Sequence, residues 1–334
     1  MNPLAPLSLV YGAGAALRAT LYRRGFLPSA RLAGPVISVG NLSVGGAGKT
    51  PVVARVAEIL RDEGLPVAVL SRGYRGSFRG EALIVSEGLP PFADPALAGD
   101  EPVMLARDLP GVIVAVGARR EAVGRAVEAR FGPRVHVLDD GFQHLRLARD
   151  LDLLCVDAAD ADERPLPAGR LREFASAADR ADLILLTQAD RVPSERLAEL
   201  TARFHATRVF EVVRRVLGFF DQAGSPLPAP VRPFLVSGIA RPLRFEADVR
   251  ARVGSLAGQA RFRDHHAYRA AEWQELLARA RATGADAVVT TAKDAVRIPV
   301  MEAAPPLLVL RIAAEFRDES RFRERLLAAA RRAA

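Results

Sequence analysis

Gly45-Gly46-Ala47-Gly48-Lys49-Thr50 is the stretch whose residue types and spacing speak most directly of chemistry. It lies between an apolar run, Pro35-Val36-Ile37-Ser38-Val39, and a helical pattern from about Thr50 to Glu63, with Pro51 in the first turn. Glycines between a strand and a helix let backbone N–H groups close around phosphate oxygens, and the helix adds the positive end of its dipole. In that setting Lys49 reaches the β- and γ-phosphates, and the Thr50 hydroxyl ligates Mg²⁺. Ser43, Val44, Gly45, Gly46, Ala47, Gly48, Lys49 and Thr50 are therefore the candidate nucleotide-binding residues, for ATP or GTP. The spacing departs from the usual one at Ser43, which stands where the first glycine is expected; Gly45 and Gly46 supply the flexibility instead. An ordinary glycine-rich turn is the alternative, but residue usage argues against it. Of 47 lysines and arginines only Lys49 and Lys293 are lysine. A chain so biased toward arginine keeps lysine where a compact point charge is needed.

Acidic and histidine residues elsewhere complete the chemical inventory. Val135-His136-Val137-Leu138-Asp139-Asp140 is an apolar strand ending in acids, and Asp139 at that tip is what Mg²⁺ needs opposite Thr50. Gln143 and His144 follow and offer polar contacts to a substrate. In Gly99-Asp100-Glu101-Pro102, Asp100 either accepts a proton from an attacking hydroxyl or caps the helix that holds Met104 and Leu105. Phe262-Arg263-Asp264-His265-His266 has adjacent histidines, of which at most one faces a given site; no nearby cysteine supports zinc. Lys293, at a strand end in Thr290-Thr291-Ala292-Lys293-Asp294, suits a ligand contact or a salt bridge between domains. Thr187-Gln188-Ala189-Asp190 resembles a GTPase base-recognition loop only loosely.

Strands and helices must alternate to place these tips together. Strands are expected at Val67–Leu70, Val112–Val116, Val135–Leu138, Leu151–Val156 and Leu183–Leu186, with helices at 118–130 and 191–203. That order predicts an α/β fold: a P-loop NTPase-like, mostly parallel sheet with helices on both faces. After a Pro/Gly/Ala-rich linker at 222–233, strands at Phe234–Ser237, Ala287–Thr290 and Leu307–Leu310 and helices near 241–253 and 270–283 read as a second, smaller α/β domain. The expected division is 1–28, an amphipathic helix; 29–221, the P-loop domain; 222–233, the linker; 234–312, the smaller substrate-side domain; and 313–334, an Arg-rich packing helix.

Composition narrows the partners. The single cysteine, Cys155, allows no intramolecular disulfide and fits a reducing compartment. A net charge of +8 favours anionic partners. No zinc-type spacing, aromatic-basic RNA motif or repeat is present, so nucleic acid is not favoured. Residues 1–17 carry no charged side chain, and Leu7, Val10, Gly14, Leu17 and Leu21 share one helical face ahead of Arg18, Arg23 and Arg24. The stretch falls short of the ~20 residues that span a bilayer. Its charges follow the apolar region, where a signal peptide would have them first. Two readings stand: a helix packed on the protein body, or an interfacial helix with its apolar face in lipid.

Several stretches together carry a family resemblance. They are Val39-Gly40-Asn41 running into Gly45–Pro51, Ser71-Arg72-Gly73-Tyr74, Gly99–Pro102, Leu138 to His144, Pro167-Ala168-Gly169-Arg170-Leu171-Arg172-Glu173, Phe262 to His265, and Thr291–Asp294. In this order the chain resembles the tetraacyldisaccharide 4′-kinases, the lipid A 4′-kinases of Gram-negative bacteria. The resemblance implies an enzyme using ATP and Mg²⁺ to phosphorylate the 4′-hydroxyl of a tetraacylated glucosamine disaccharide 1-phosphate. It also implies a peripheral location on the cytoplasmic face of the inner membrane, with a lipid-linked substrate, an anionic membrane surface and no obligate protein partner. A catalytic Asp–His pair maps to Asp100 and His265, alongside Asp139. Asn41, Tyr74, Arg119, Asp140, Gln143, His144 and Arg170 are the candidate substrate-binding residues, with Arg119 and Arg170 as clamps for phosphate or developing charge. A membrane-associated ATPase switch would carry a further lysine at the start of the loop, where Ser43 and Val44 stand. A soluble P-loop kinase of a small metabolite would leave the N-terminal apolar face without a role.

Overall fold

A computed structural model describes residues 4–45, 48–90, 92–159, 161, 164–299 and 304–331. The elements in chain order are α1 (Ala5–Arg23), β1 (Val36–Asn41), α2 (Lys49–Asp62), β2 (Val67–Ser71), β3 (Leu83–Glu87), α3 (Pro95–Ala98), α4 (Asp100–Asp108), β4 (Ile113–Val116), α5 (Arg120–Phe131), β5 (Val135–Asp139), β6 (Leu151–Asp157) and β7 (Leu183–Thr187). They continue as α6 (Ser194–Arg203), β8 (Val209–Phe220), β9 (Pro226–Leu227), β10 (Phe234–Ser237), α7 (Pro242–Arg250), β11 (Gly258–Arg261), α8 (Ala270–Ala282), β12 (Val288–Thr291), α9 (Ala292–Ala295), β13 (Leu307–Phe316) and α10 (Glu319–Arg331).

The strands form one sheet in the order β11-β10-β12-β13-β8-β7-β6-β1-β5-β2-β4-β3, with β9 hairpinned on β8. β1 is buried at every position because parallel neighbours flank it and helices cover both faces. On one face α2 inserts Val52, Val53, Val56, Ile59 and Leu60 beneath the sheet. Gly64, at φ 78°, closes that helix by donating its N–H to the Arg61 carbonyl. The C-terminal helix α10 returns to the same core and buries Phe322 and Leu326 there.

Four strands have no counterpart in the sequence expectation, among them the two-residue β9 inside the expected linker. β3 and β11 are short edge strands, and β8 is a long one whose pattern is broken by Arg214, Arg215 and Gly218. β13 runs well past the expected Leu310 because it pairs antiparallel with β8, from Val309 opposite Phe220 to Phe316 opposite Val212. That ladder makes the sheet continuous between the two halves of the chain. The 234–307 segment still has its own apolar cluster, around Phe234, Val236, Trp273, Leu276 and Val288.

Candidate active site

The glycine loop leaves the tip of β1 and is braced from below. Asn41, the last residue of β1, is fully buried. Its amide nitrogen donates to the Ser43 carbonyl and hydroxyl (2.8 and 3.1 Å), and its Oδ1 accepts from Lys49 Nζ at 2.8 Å. The 170–172 segment zips along the loop: Val44 N–H donates to the Arg170 carbonyl, and Arg172 N–H to the Leu42 carbonyl. The Arg170 guanidinium crosses over Gly45 and donates to the Val44 carbonyl at 3.0 Å. Gly45 sits at φ 108°, a backbone conformation that residues with a side chain rarely adopt, which favours glycine there. Gly48, at φ 71°, turns the chain into α2 and puts Lys49 and Thr50 in its first turn. Gly46 and Ala47 lie outside the described residues.

The acidic tip sits beside this loop by register, since β1 and β5 pair Val39 with Asp139. Asp139 is buried and accepts from Ser71 Oγ at 2.8 Å. Burial first, then the Glu101 and Asp140 carboxylates, push its pKa up to about 7 against the pull of Lys49 and Ser71. Such a carboxyl marks a place short of positive charge, which a divalent ion supplies. Thr50 and Asp139 fit Mg²⁺ in that sense. Among the described residues no three His, Cys, Asp or Glu side chains converge on a metal position. An ion held by Thr50 and Asp139 would need further ligands from outside the protein, such as phosphate oxygens and water.

Asp140, at φ 54°, turns the other way. It pairs with Lys49 Nζ at 2.9 Å and takes both arms of the Arg172 guanidinium at 2.8 and 2.9 Å. Burial opposes ionisation, but Arg172 and Lys49 hold the carboxyl well below its ordinary range. Arg172 was absent from the candidate residues, although it stands two positions after Arg170. Alternation along the extended 170–172 segment, which sends neighbouring side chains to opposite sides, was the available signal.

Asp100 opens α4, but Gly99 occupies the cap position and no side chain caps that helix. The carboxylate turns instead to the C-terminal half of the chain, where Asp100 Oδ2 and His265 Nδ1 lie 2.7 Å apart. Arg297 Nε stands 3.5 Å from the same oxygen. His265 sits at φ 65°, with its backbone N–H on the Gly238 carbonyl. The exposed Tyr74 ring meets the imidazole edge-on, its centre 6.1 Å away. Lys293 contacts His265 Nε2 at 3.1 Å and Glu101 at 3.5 Å, which makes it an ion pair between the halves. His266 turns away to Glu272 and stacks on Phe262.

The remaining expected residues are placed apart from the Asp100–His265 pair. Gln143 donates to the Asn41 carbonyl and to Glu173. His144 bonds Glu121 Oε2 at 3.0 Å, and Arg119 bonds the other oxygen of that carboxylate from a largely exposed position. Burial, then the Arg120 charge, lower His144 to about 4 against the pull of Glu121.

Helix α1 packs on the body through its small residues. Ser8 Oγ accepts from the Ala168 N–H at 2.9 Å, and Gly12 lies so close to the Phe174 ring that a Cβ would come within 2.5 Å. Leu7, Leu9 and Leu17 face outward, and Val10 is exposed at the border of a cleft beside the helix. The helix therefore docks, but the apolar face read from the sequence is not the docking face. Between α1 and the sheet lies a cleft of about 600 Å³, lined by Val10, Tyr11, Arg18, Arg72, Gln143 and Arg172 among others. No described helix is long and apolar enough to cross a membrane.

A braced nucleotide loop, an acidic strand tip and an Asp–His pair on one α/β sheet define a P-loop phosphotransferase. The family profile described as Tetraacyldisaccharide-1-P 4′-kinase matches residues 2–331. A tetraacyldisaccharide 4′-kinase of Anaeromyxobacter dehalogenans is 42% identical over 332 residues, covering 93% of this chain and 86% of the relative. One from Geobacter metallireducens is 42% identical over 301 residues, 89% of each chain. The crystal structure of LpxK from Aquifex aeolicus in complex with ATP superposes with a TM-score of 0.83 at 31% identity, covering 98% of both chains. The chain belongs to the tetraacyldisaccharide-1-phosphate 4′-kinase family. It is an ATP-dependent kinase that phosphorylates the lipid A precursor at the 4′ position.

Proposed function

We propose that Asp100 is the general base of this transfer, that His265 orients it, and that the reaction runs on a lipid acceptor delivered from an anionic membrane surface. The observation that carries this reading is the 2.7 Å contact between Asp100 and His265, residues from opposite halves of the chain. Asp100 removes the proton of the sugar hydroxyl. The freed oxygen attacks the γ-phosphorus, the bond to the β–γ bridging oxygen breaks, and ADP leaves. Lys49, the loop N–H groups and the start of α2 stabilise the charge that develops. Mg²⁺, held by Thr50 and Asp139, would neutralise β- and γ-phosphate oxygens. Arg119 and Arg170 are candidate clamps for the acceptor's own phosphate or the transferred group, and Tyr74 and Arg172 border the acceptor's approach. In this reading the 234–312 segment is the substrate-side unit, and its contact with Asp100 shuts water out.

The outward apolar face of α1, with Arg18, Arg23 and Arg24 behind it, supports a helix lying in the interface of the inner membrane's cytoplasmic leaflet. The cleft behind that helix leads from the same face toward Arg72 and Arg172, which suits an acylated sugar phosphate. The decisive experiment offers labelled ATP with the acylated disaccharide 1-phosphate, its deacylated core and small soluble alcohols. Labelling confined to the acylated disaccharide is expected. Labelling of a soluble acceptor, or hydrolysis with none labelled, overturns the lipid reading.

A further inference from the structure

We infer that Lys293 is a positioning residue, which fixes His265 as the neutral tautomer with its proton on Nδ1 and so makes that ring a hydrogen-bond donor to Asp100. The inference rests on the reading of Asp100 as the base. An ammonium group has three protons and no lone pair. Three acceptors surround Lys293 Nζ: His265 Nε2 at 3.1 Å, Glu101 Oε1 at 3.5 Å and Asp264 Oδ1 at 3.5 Å. The imidazole nitrogen facing it must therefore present a lone pair. The ring's single proton then lies on Nδ1, directed at Asp100 Oδ2. Which nitrogen of a histidine holds the proton is set by what the other nitrogen meets.

The position of Lys293 is itself built. Thr291 caps α9 and accepts from the Asp294 N–H. Asp294 is fully buried and receives hydrogen bonds from the Gly238 N–H, the Tyr268 hydroxyl and the Thr291 hydroxyl. The residue before it is thus held in place by a saturated carboxylate. Among the described residues the charged or titratable groups that face the ring come from several elements, and Arg75 donates to the Asp264 carbonyl beside it. Asp100 and Glu101 come from α4, Asp264 from its own loop, Lys293 from α9 and Arg297 from just beyond it, and Tyr74 from the loop after β2.

The mechanistic consequence is a division of labour. With Nδ1 already protonated, His265 cannot relay the hydroxyl proton away. The proton stays on Asp100, on a lone pair that His265 does not engage, until product leaves. The ring steadies the carboxylate and aims it. One of the two lysines of an arginine-rich chain has been kept at this spot. A planar guanidinium would present its donors in a fork rather than as a point between three acceptors.

The test is the ¹⁵N spectrum of the full-length protein labelled on histidine, with His265 assigned by its loss in His265→Asn. An unprotonated Nε2 and a protonated Nδ1 are expected. A protonated Nε2 in the wild-type protein overturns the inference. In Lys293→Met the Nε2 signal should leave the unprotonated region, and kcat should fall about 10–100-fold with both KM values little changed. Lys293→Gln, which keeps a donor without the charge, should recover the tautomer; if Met at this position prevents folding, the Gln variant alone decides, and loss of its tautomer overturns the inference. An unchanged spectrum in Lys293→Met also overturns it. Failure of the wild type to phosphorylate the acylated disaccharide would sink the reading of the site, while the spectrum would still decide the role of Lys293.

Discussion

Lys49 Nζ lies 2.9 Å from Asp140 Oδ1, and the same carboxylate grips the guanidinium of Arg172. The lysine expected to reach phosphate is thus paired with an acid in this fold. Asp140→Asn removes the restraint and leaves two cations beside the loop. Binding of metal-free ATP should tighten several-fold by calorimetry, and the unliganded protein should lose about 1–3 kcal/mol. Unchanged ATP affinity would mean that Asp140 does not compete with phosphate for Lys49.

Asp100→Ala should lower kcat by about 10²–10⁴ without unfolding the protein, because Asp100 does not cap its own helix. Steady-state rates with the lipid acceptor check this, and near-normal turnover excludes Asp100 as the base. His265→Ala should also act on kcat. If only the KM for the acceptor moves, His265 is a binding residue.

The His144–Glu121 pair gives a pH dependence of stability. His144 titrates near 6.5 when unfolded and at about 4 in the folded chain, chiefly because burial disfavours its charged form. Below pH 6.5 the unfolded chain takes a proton that the folded one refuses, so stability falls between pH 6.5 and 4. The full effect is about 3 kcal/mol. Glu121 adds in the same direction at lower pH. Burial opposes its charge, yet its own backbone N–H, Arg119 and His144 hold it at about 2, so its contribution is lost as pH falls from 4.5 toward 2. Asp139, raised to about 7 by burial, acts in the opposite sense over the same range, so the His144 contribution is read as a difference: between pH 7 and pH 5 the wild type should lose about 2 kcal/mol relative to His144→Gln by urea unfolding.

Leu7→Asp with Val10→Asp should abolish sedimentation with vesicles of anionic phospholipid. Both side chains are exposed, so folding stability should change by less than about 0.5 kcal/mol. Membrane binding that survives the pair of substitutions would place the attachment elsewhere.

Phe322→Ala tests the return of α10 to the P-loop core. Phe322 is fully buried against Phe210 and Phe316, so the loss should be about 3–5 kcal/mol by denaturant unfolding. A loss under 1 kcal/mol would mean that the helix is dispensable to the core.

Local chemistry was legible where it depended on near neighbours in the chain. The strand–glycine–lysine order of 36–50 and the acids ending β5 needed only short-range pattern to read. Asp100 and His265 lie 165 positions apart, and spacing alone left one as a possible cap and the other as a structural histidine. Resemblance paired them, and the sheet brings them within hydrogen-bond reach. Arg172 escaped because its role depends on partners that only the fold brings near, whereas Lys293 was legible as a ligand contact or a salt bridge between domains but not as the partner of His265. The orientation of α1 escaped for a different reason. Its apolar periodicity was correctly read, but the face that docks is made of Ser8 and Gly12, and small residues leave no mark in a hydrophobic pattern.

The unbroken sheet has a consequence for any survey of inactivating substitutions. His265 reaches Asp100 through the β8–β13 ladder, with its register shift between Arg311 and Ile312. A change that alters the coil of that ladder displaces one half of the proposed catalytic pair by a lever arm, with every chemical group intact. Positions such as Val212, Val216 and Leu310 should therefore appear among activity-defective alleles whose proteins accumulate normally and still bind nucleotide. Plotted on the fold, such alleles would trace a line along two strands rather than a ring around a pocket.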